Sequence, residues 1–287
     1  MAIINKAASF TSQEKILIEK ARFYAQHNAL MPELVTKFTM PKGNRQITIN
    51  RYQNLTADAL VDGIDMSTAK ALNTDTVTIT TSEYGLKVIV TRKMQRELID
   101  DVYANVGKLM GDAMAKYRDK LVIALFSGVT TYTLGTAATE LTLGHIAAGV
   151  STLDTVPAPG DYMGVFHPYS VKDLWDDLTA HGANVHVPWT GLSDEMARKY
   201  MRGRDKIAGI PIMIDGNIVP DADDDAISGI FSREWAGICT EKSWSIEKEH
   251  DASLRGDEIV CVADEGVAEL KDDYCVQCTF DAARETS

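Results

Sequence analysis

The stretch DTVTITTSEYGLKVIVTRKMQRELIDDVYANVGKLMGDAMAKYRDKLVIALFS (residues 75–127) changes its periodicity part-way. Residues 75–91 are rich in Thr and Val, which favours a strand, with Gly85 as a candidate bulge. From residue 93 to residue 127 apolar side chains recur every three or four positions. This spacing predicts one helix of about 34 residues, roughly 50 Å long. The predicted apolar stripe contains Met94, Leu98, Val102, Val106, Leu109, Met110, Ala113, Met114, Tyr117, Leu121 and Leu125.

The predicted helix over 93–127 is much longer than the average of about 11 residues. Gly128 follows it and is a typical C-terminal stop. Gly107 and Gly111 weaken a helix but allow close packing. The length favours a spine that crosses the whole subunit. A coiled-coil dimer is the alternative, although the stripe lacks a strict seven-residue repeat.

A hairpin arm is predicted upstream of this helix. Ile47 and Ile49 alternate with polar residues over 46–52, which predicts a strand. Residues 53–74 show no pattern, and a structureless loop of that length is uncommon inside a compact domain. We therefore expect the strands at 46–52 and 75–91 to project as a hairpin. A lone hairpin is only marginally stable, so a neighbouring subunit is expected to support it.

The rest of the chain alternates between helix and strand patterns. Residues 141–225 have the pattern of an α/β unit, with buried strands at 162–166 and 210–214. Residues 228–281 contain short strand candidates with tight turns. Helices are expected at 12–31, 143–153, 168–180 and 193–202. The first is expected to end before Pro32. Together these patterns predict the α+β class.

Charge is distributed unevenly along a chain whose formal net charge is −12. Residues 1–56 hold eight Lys and Arg against three Asp and Glu, whereas residues 221–287 hold six against eighteen. The overall acidity argues against nucleic-acid wrapping, because DNA-binding domains usually carry excess positive charge. A basic head and an acidic tail can attract each other between neighbouring copies. A solvated surface with chance asymmetry is the alternative.

Compartment signals are weak in this sequence. No apolar run reaches the roughly 20 residues that a membrane helix needs, and residues 1–10 lack the apolar core of a signal peptide. The four cysteines are too few for a disulfide scaffold of this size. We therefore expect a protein that stays in a reducing cytoplasm after synthesis and contacts no membrane.

Catalytic and binding motifs are missing. The sequence has no Walker A loop, no dinucleotide-binding glycine motif, no H-E-x-x-H and no G-x-S-x-G. Cys275 and Cys278 form a lone C-x-x-C, but residues three apart in a strand point to opposite faces. That geometry disfavours a shared zinc site and a redox disulfide. We predict no catalytic residue, no cofactor and no metal, and therefore a protein that is not an enzyme.

The acidic run Asp221, Asp223 and Asp225 begins like a calcium-binding loop. Such a loop needs a glycine at its sixth position and a glutamate at its twelfth, where this chain has Ala226 and Ser232. A solvated acidic loop is the expected structure, and an adventitious cation site is the alternative.

Several strings resemble those of a known family. KFTMPKGNRQITINRYQNL (37–55) and YGLKVIVTRKMQRELIDD (84–101) resemble the entry and return of the extended hairpin in phage capsid proteins. YMGVFHP (162–168) and IAGIPIMIDGN (207–217) resemble their axial-domain strands, and AISGIFSREWAGICTEKSW (226–244) resembles the return into the peripheral domain. With the element order, they resemble the Hong Kong 97-type major capsid proteins of tailed bacteriophages, closest to the subgroup related to podophage N-four.

The resemblance implies a division of the chain and a function. The implied parts are an N-terminal arm (1–45), an extended loop (46–92), the spine helix with the first peripheral part (93–140), the axial domain (141–225) and the second peripheral part (226–287). The implied function is a structural subunit that self-assembles into the pentamers and hexamers of an icosahedral head. That head encloses double-stranded DNA without binding it specifically. The protein would assemble in the host cytoplasm and reside in the virion.

Partners and contact residues are implied by the same resemblance. The main partner is the chain itself, together with a portal protein. Residues 1–45 are too few for a removable scaffolding domain, so the expectation is a separate scaffolding protein or a scaffolding segment already removed from this sequence. A decoration protein is a further candidate. Inter-subunit contacts are expected at Lys42, Arg45, Arg51, Lys70, Asp221, Asp223 and Asp225. The type member of the fold joins a loop lysine to a neighbour's peripheral asparagine. Lys70 could supply the lysine, but Asn217 is the last asparagine of this chain.

Two other functions remain open at this point. An encapsulin-like compartment would use the same fold and a groove for cargo. A cytoplasmic α/β enzyme would place its site at the ends of strands 162–166 and 210–214, with His167 and Asp215 as candidate residues. Such an enzyme should form only a small oligomer.

Overall fold

The computed structural model describes residues 29–52, 55–59, 69–92, 102–156, 158–179, 206–251, 253 and 255–284. The helices of this part of the chain are α1 (Met31–Leu34), α2 (Val102–Ile123), α3 (Leu143–Thr155) and α4 (Pro168–Thr179). Its strands are β1 (Thr36–Thr39), β2 (Gln46–Tyr52), β3 (Thr74–Thr80), β4 (Ser82–Thr91), β5 (Thr133–Leu134), β6 (Tyr162–Phe166), β7 (Lys206–Ile207), β8 (Ile210–Ile214), β9 (Asp225–Ser232), β10 (Ala236–Asp251), β11 (Gly256–Glu269) and β12 (Cys275–Asp281). The α+β class is confirmed.

The strands form three sheets. The largest has the order β5-β12-β9-β6-β8-β7, the second has the order β1-β10-β11-β4, and β2 pairs with β3 alone. Strands β10 and β11 are long and antiparallel, and with β9 and β12 they confirm that residues 228–281 are mainly strand. The chain therefore builds a mainly antiparallel framework on which the helices pack.

Helix α2 confirms the predicted spine over 102–123, while residues 93–101 lie outside the described residues. A 3₁₀ turn continues it from Ala124 to Gly128, so the expected stop at Gly128 is confirmed. The buried face matches the predicted stripe only in part, at Val102, Met110 and Met114. Met110 and Met114 pack against β11, but Leu109 is 66 % exposed. Gly107, Gly111, Ala115 and Asp119 lie on the buried face instead, because their short side chains let the helix approach the sheet closely.

The predicted strand at 75–91 is in fact two strands that separate at Thr81. β3 pairs with β2, whereas β4 crosses onto β11 with Tyr84 opposite Ala263. Gly85 is a site of close approach within β4, since a Cβ atom there would collide with the carbonyl oxygen of Cys261. The hairpin arm is thus confirmed, and its second strand leads directly into the four-stranded sheet.

The α/β unit contains the predicted α3, β6, α4 and β8, and β6 runs parallel to β8. The helix expected at 193–202 lies outside the described residues. β9 and β12 also belong to this six-stranded sheet, because β9 pairs with both β6 and β12. The boundary expected at residue 225 falls on the first residue of β9, and the sheet takes strands from both of the separated ranges.

Two crossings join the large sheets near the end of α2. One lies between β9 and β10 and contains the fully buried Trp235, whose carbonyl oxygen accepts a hydrogen bond from the backbone N–H of Leu270 in the other crossing. The Trp235 ring stacks on Phe126 with centroids 4.8 Å apart and planes at 3°. This contact fixes both sheets against the 3₁₀ turn that ends the spine.

One local expectation upstream is wrong. Most of the helix predicted at 12–31 lies outside the described residues, but Pro32 does not follow a helix. It stands in the first turn of α1, where a missing N–H costs nothing because the first N–H groups of a helix have no intrahelical partner.

Candidate functional site

The hairpin formed by β2 and β3 is packed at its base and exposed at its far end. Ile47, Ile49 and Ile79 contact Met40 and Leu270 in one apolar cluster. The three large apolar side chains Tyr52, Leu55 and Leu72 are 66 %, 60 % and 59 % exposed. The arm is therefore partly supported by its own chain, and its far end offers uncovered apolar surface, a common mark of an interaction site.

The basic residues expected at inter-subunit contacts have two different environments. Lys42 and Arg45 are exposed in the turn between β1 and β2. Arg51 is half-buried, and its guanidinium donates a hydrogen bond to the carbonyl oxygen of Leu270. Its charge also lies near Glu269 and acts to lower the pKa of that carboxyl, although burial raises the pKa overall. Arg51 is thus a contact within the chain, whereas Lys42 and Arg45 face outward.

Lys70 is paired within the segment that joins β2 to β3. Its Nζ atom lies 2.9 Å from Asp58 Oδ1 and 3.4 Å from Thr56 Oγ1. Both partners of the ion pair are substantially exposed to solvent, so the pair contributes only about 0–1 kcal/mol. A neighbouring subunit could displace such a pair without a large cost.

The acidic run is largely a structured turn. Asp221 Oδ1 accepts hydrogen bonds from the backbone N–H groups of Asp223 and Asp225, at 2.9 and 3.0 Å. Asp225 is buried, and its Oδ1 atom accepts from the backbone N–H of Ala138 at 2.7 Å. Asp221 and Asp225 therefore hold the turn together, and of the three only Asp225 is buried, while Asp221 and Asp223 are exposed. Within the described ranges, no group of three side chains is arranged to hold a metal ion.

The C-x-x-C pair lies as the strand geometry predicts. Cys275 joins the cluster around Phe126 and Trp235, while Cys278 joins the cluster of Val276 and Phe280 on the opposite face of β12. Burial raises the pKa of Cys278 to about 12, so its thiol stays protonated at neutral pH. Both cysteines are core residues with free thiols.

His167 and Asp215 follow the paired ends of β6 and β8. The backbone N–H of Asp215 donates to the carbonyl oxygen of Phe166 at 3.0 Å. His167 Nδ1 accepts from the backbone N–H of Tyr169 at the start of α4, and burial lowers the pKa of the imidazole. Asp215 Oδ1 accepts from the backbone N–H of Asn217 at 2.8 Å. Both side chains therefore serve local backbone structure.

Three buried acids, Asp119, Asp257 and Glu265, were missed by the sequence reasoning. Asp119 lies on the buried face of α2, and Glu265 lies on β11 beside Arg118. The signal for Asp119 was its spacing, since it continues the series Gly111 and Ala115 at intervals of four. A search that counts only apolar residues passes over a carboxyl group at such a position.

Solved structures align with almost the whole chain. A chain from Mycobacterium phage Che8 aligns with a TM-score of 0.68 at 15 % identity, covering 88 % of this chain and 91 % of that one. The capsid of the cyanophage P-SCSP1u aligns with a TM-score of 0.66 at 14 % identity, covering 89 % of each chain. The chain has the Hong Kong 97-type capsid fold. A virus-like particle from Pyrococcus furiosus also aligns, with a TM-score of 0.57 at 9 % identity, covering 94 % of this chain and 98 % of that one.

The division of the chain into an arm, an extended loop, a spine and peripheral and axial parts stays a prediction. No family model and no curated protein sequence matches the chain. The narrower resemblance to the N-four-related subgroup therefore stays a prediction. Among the described helices, none has the length and apolar character needed to cross a membrane.

Proposed function

We propose that this protein is the major capsid protein of a tailed bacteriophage and assembles with copies of itself into the pentamers and hexamers of an icosahedral head. The observation that carries the proposal is the far end of the extended loop, where Tyr52, Leu55 and Leu72 are exposed on a hairpin anchored at its base. An isolated subunit leaves this surface in water. A shell of subunits with this fold offers neighbouring surfaces that can cover it.

The negative net charge supports a protein that encloses DNA without binding it tightly. The net charge of −12 repels phosphates, so packaged double-stranded DNA would be held without specific binding. The exposed Lys42 and Arg45 near the loop entry fit contacts with the acidic C-terminal quarter of a neighbour. The proposal includes a portal protein and a separate scaffolding protein as partners, a decoration protein as a further candidate, and the virion as the final location.

The proposed division of the chain follows the sheets. The arm covers 1–45, the extended loop 46–92 and the spine with the first peripheral part 93–140. The axial part contains residues 141–225 together with β9 and β12, since these strands hydrogen-bond within the same sheet. The remaining residues of 226–287, chiefly β10 and β11, form the second peripheral part.

An encapsulin-like compartment is the second candidate, favoured by the alignment with the particle from Pyrococcus furiosus. The two candidates differ in contents rather than in fold. Particles purified from the natural source would contain double-stranded DNA in the first case and a protein cargo in the second.

The test is assembly of the purified protein, followed by size-exclusion chromatography and electron microscopy. Wild-type protein should form capsomers or closed shells. Replacing Tyr52, Leu55 and Leu72 together with Ser should sharply lower particle yield while the melting temperature stays near the wild-type value. Thr48→Ser with Thr76→Ser, at exposed polar positions of the same hairpin, is the matched control and should assemble normally. A monomer at every concentration, without particles, would overturn the proposal.

A further inference from the structure

Three segments of the chain meet at two buried carboxyl groups. Asp119 on α2 is fully buried, and Asp215, which follows β8, is 5 % exposed. Asp119 Oδ1 accepts a hydrogen bond from the backbone N–H of Met31 at 2.8 Å, and Oδ2 accepts from Asn217 Nδ2 at 2.8 Å. The Asp119 and Asp215 carboxyl groups are close enough to interact, and the negative charge of Asp215 raises the pKa of Asp119. The pair therefore connects the N-terminal arm, the spine helix and the axial turn.

A hydrogen bond between two carboxyl groups requires a proton on one of them. Both oxygens of Asp119 already accept an N–H group, and Asp215 Oδ1 accepts the backbone N–H of Asn217. Asp215 Oδ2 is buried and has no hydrogen-bond donor among the described residues. If Asp215 Oδ2 carries a proton, it can donate a hydrogen bond to Asp119. Every buried oxygen of the two carboxyl groups would then have a hydrogen-bond partner.

The surroundings favour one proton over two negative charges. Burial raises the pKa of Asp119 to about 7, and the hydrogen bond and negative charge of Asp215 act in the same direction. The hydrogen bonds from Asn217 and Met31 oppose this rise but do not cancel it. Two negative charges close together in a buried site cannot both persist without cost.

Other charged groups around the pair are directed elsewhere. On α2, Arg118 lies 3.0 Å from Glu265, and Lys120 is exposed. On α1, Glu33 is exposed. Beside Asp215, burial lowers the pKa of His167, so its ring is neutral near pH 7 and supplies no countercharge. A proton is thus what neutralises one of the two negative charges of Asp119 and Asp215.

We propose that Asp119 and Asp215 share one proton and form a pH-dependent latch that holds Met31 and the turn Asp215–Asn217 on the spine helix. The contribution of the latch is fully present below about pH 4, the usual Asp range, and is lost as the pH rises through about 7. The latch concerns the inside of one subunit. It is independent of the proposed shell function and can be measured on subunits or on particles.

The experiment is hydrogen exchange of the full-length protein, read at the Met31 amide. Between about pH 5 and 7 base catalysis alone accelerates amide exchange about tenfold per pH unit. Over the same range the loss of the shared proton raises the opening equilibrium of the latch about tenfold per unit. The exchange rate of the wild-type protein should therefore rise about hundredfold per pH unit. In Asp215→Asn the amide donates to Asp119 permanently, while its oxygen still accepts from Asn217. That variant should show only the tenfold slope.

His167→Asn is the matched control, because its amide oxygen can still accept the backbone N–H of Tyr169 while the titratable ring is lost. It should keep the steep slope. A tenfold slope in wild-type protein, a steep slope that survives in Asp215→Asn, or a steep slope that disappears in His167→Asn would overturn the latch. Infrared difference spectra across neutral pH offer a second readout, since the protonated-carboxyl band should be lost in wild-type protein and unchanged in Asp215→Asn.

Discussion

The Nε atom of Arg118 on the spine helix lies 3.0 Å from Oε2 of Glu265 on β11. The contact is an ion pair rather than an aligned hydrogen bond, because the Nε–H group does not point at the carboxylate. Tyr84 donates its hydroxyl to the same oxygen at 2.7 Å, and Thr240 donates to the other at 3.0 Å. Burial, together with Glu265, raises the pKa of Tyr84 far above its usual value, so the phenol stays protonated and remains a donor. Glu265 therefore joins α2, β4 and β10 at one buried point.

Glu265→Leu should destabilise the subunit strongly. It leaves the Arg118 charge and the Tyr84 and Thr240 hydroxyls without their partner, which should lower the free energy of unfolding by about 3 kcal/mol. Urea denaturation measures the change. Glu247→Leu is the control, because Glu247 is exposed and only 3.6 Å from Lys242, so about 0–1 kcal/mol is expected. Similar losses in both variants would contradict the central role of Glu265.

Neighbouring residues of the spine should respond in opposite ways. Leu109→Asn should change the free energy of unfolding by only about 0.5 kcal/mol, because Leu109 faces solvent. Met110→Ala should cost about 2–5 kcal/mol, because Met110 is fully buried. Leu109→Pro should still cost about 3 kcal/mol or more, since proline removes a helical hydrogen bond whatever the side chain faces. A large loss of unfolding free energy in Leu109→Asn would show that Leu109 is buried, as the sequence pattern predicted.

Asp272 should stabilise the fold above acidic pH. Burial alone would raise its pKa, but hydrogen bonds from Thr131 and Thr130 outweigh burial and hold the pKa below its usual range. A lowered pKa means that the stabilisation is present above about pH 4 and is lost as the pH falls through the folded-state pKa. Asp272→Asn should therefore lower the urea midpoint at neutral pH and much less at about pH 3.

The control for this pH dependence is Asp273→Asn, whose carboxylate lies 3.7 Å from Lys271 in an exposed ion pair. Its effect on the urea midpoint should be small at both pH values. An Asp272→Asn loss that is equal at neutral and acidic pH would show that packing rather than the charge is responsible.

Arg51 should differ from the two exposed basic residues near it. Arg51→Gln removes the hydrogen bond to the Leu270 carbonyl and should lower the melting temperature. Lys42→Gln with Arg45→Gln should leave the melting temperature unchanged and lower particle yield, increasingly so at low salt where surface charges are least screened. Unchanged yield in the double variant would show that these two residues are only solvated.

The shell should contain no covalent cross-links between subunits. Lys70 is paired with Asp58 in its own loop, and the last asparagine, Asn217, donates its side-chain amide to Asp119 inside the subunit. Boiling assembled particles in SDS should release a single band near 31.5 kDa. A ladder of oligomers that resists reductant would contradict this expectation.

Local patterns were sufficient for most of the elements. Alternation and Thr/Val content located β2 and the β3–β4 region, and helical spacing located the spine as far as Gly128. The C-x-x-C pair was assigned to opposite faces from strand geometry alone. These features depend on neighbours in the sequence, so a single chain read in order is enough to find them.

The tertiary structure decided which faces are buried and which residues meet. The buried face of α2 is determined by Gly107, Gly111 and Ala115, because their small size matters only when a sheet packs against them. Likewise β9 and β12 joined the axial sheet through pairing with distant strands.

Asp119 and Asp215 illustrate the same division. The sequence by itself determined that each carboxyl group exists and on which element it lies. Only the fold decided that they share a buried site, because a hydrogen bond across nearly a hundred residues depends on how helix and sheet pack. Burial then raises the pKa of Asp119, since desolvation acts on the position in space and not on the order of residues.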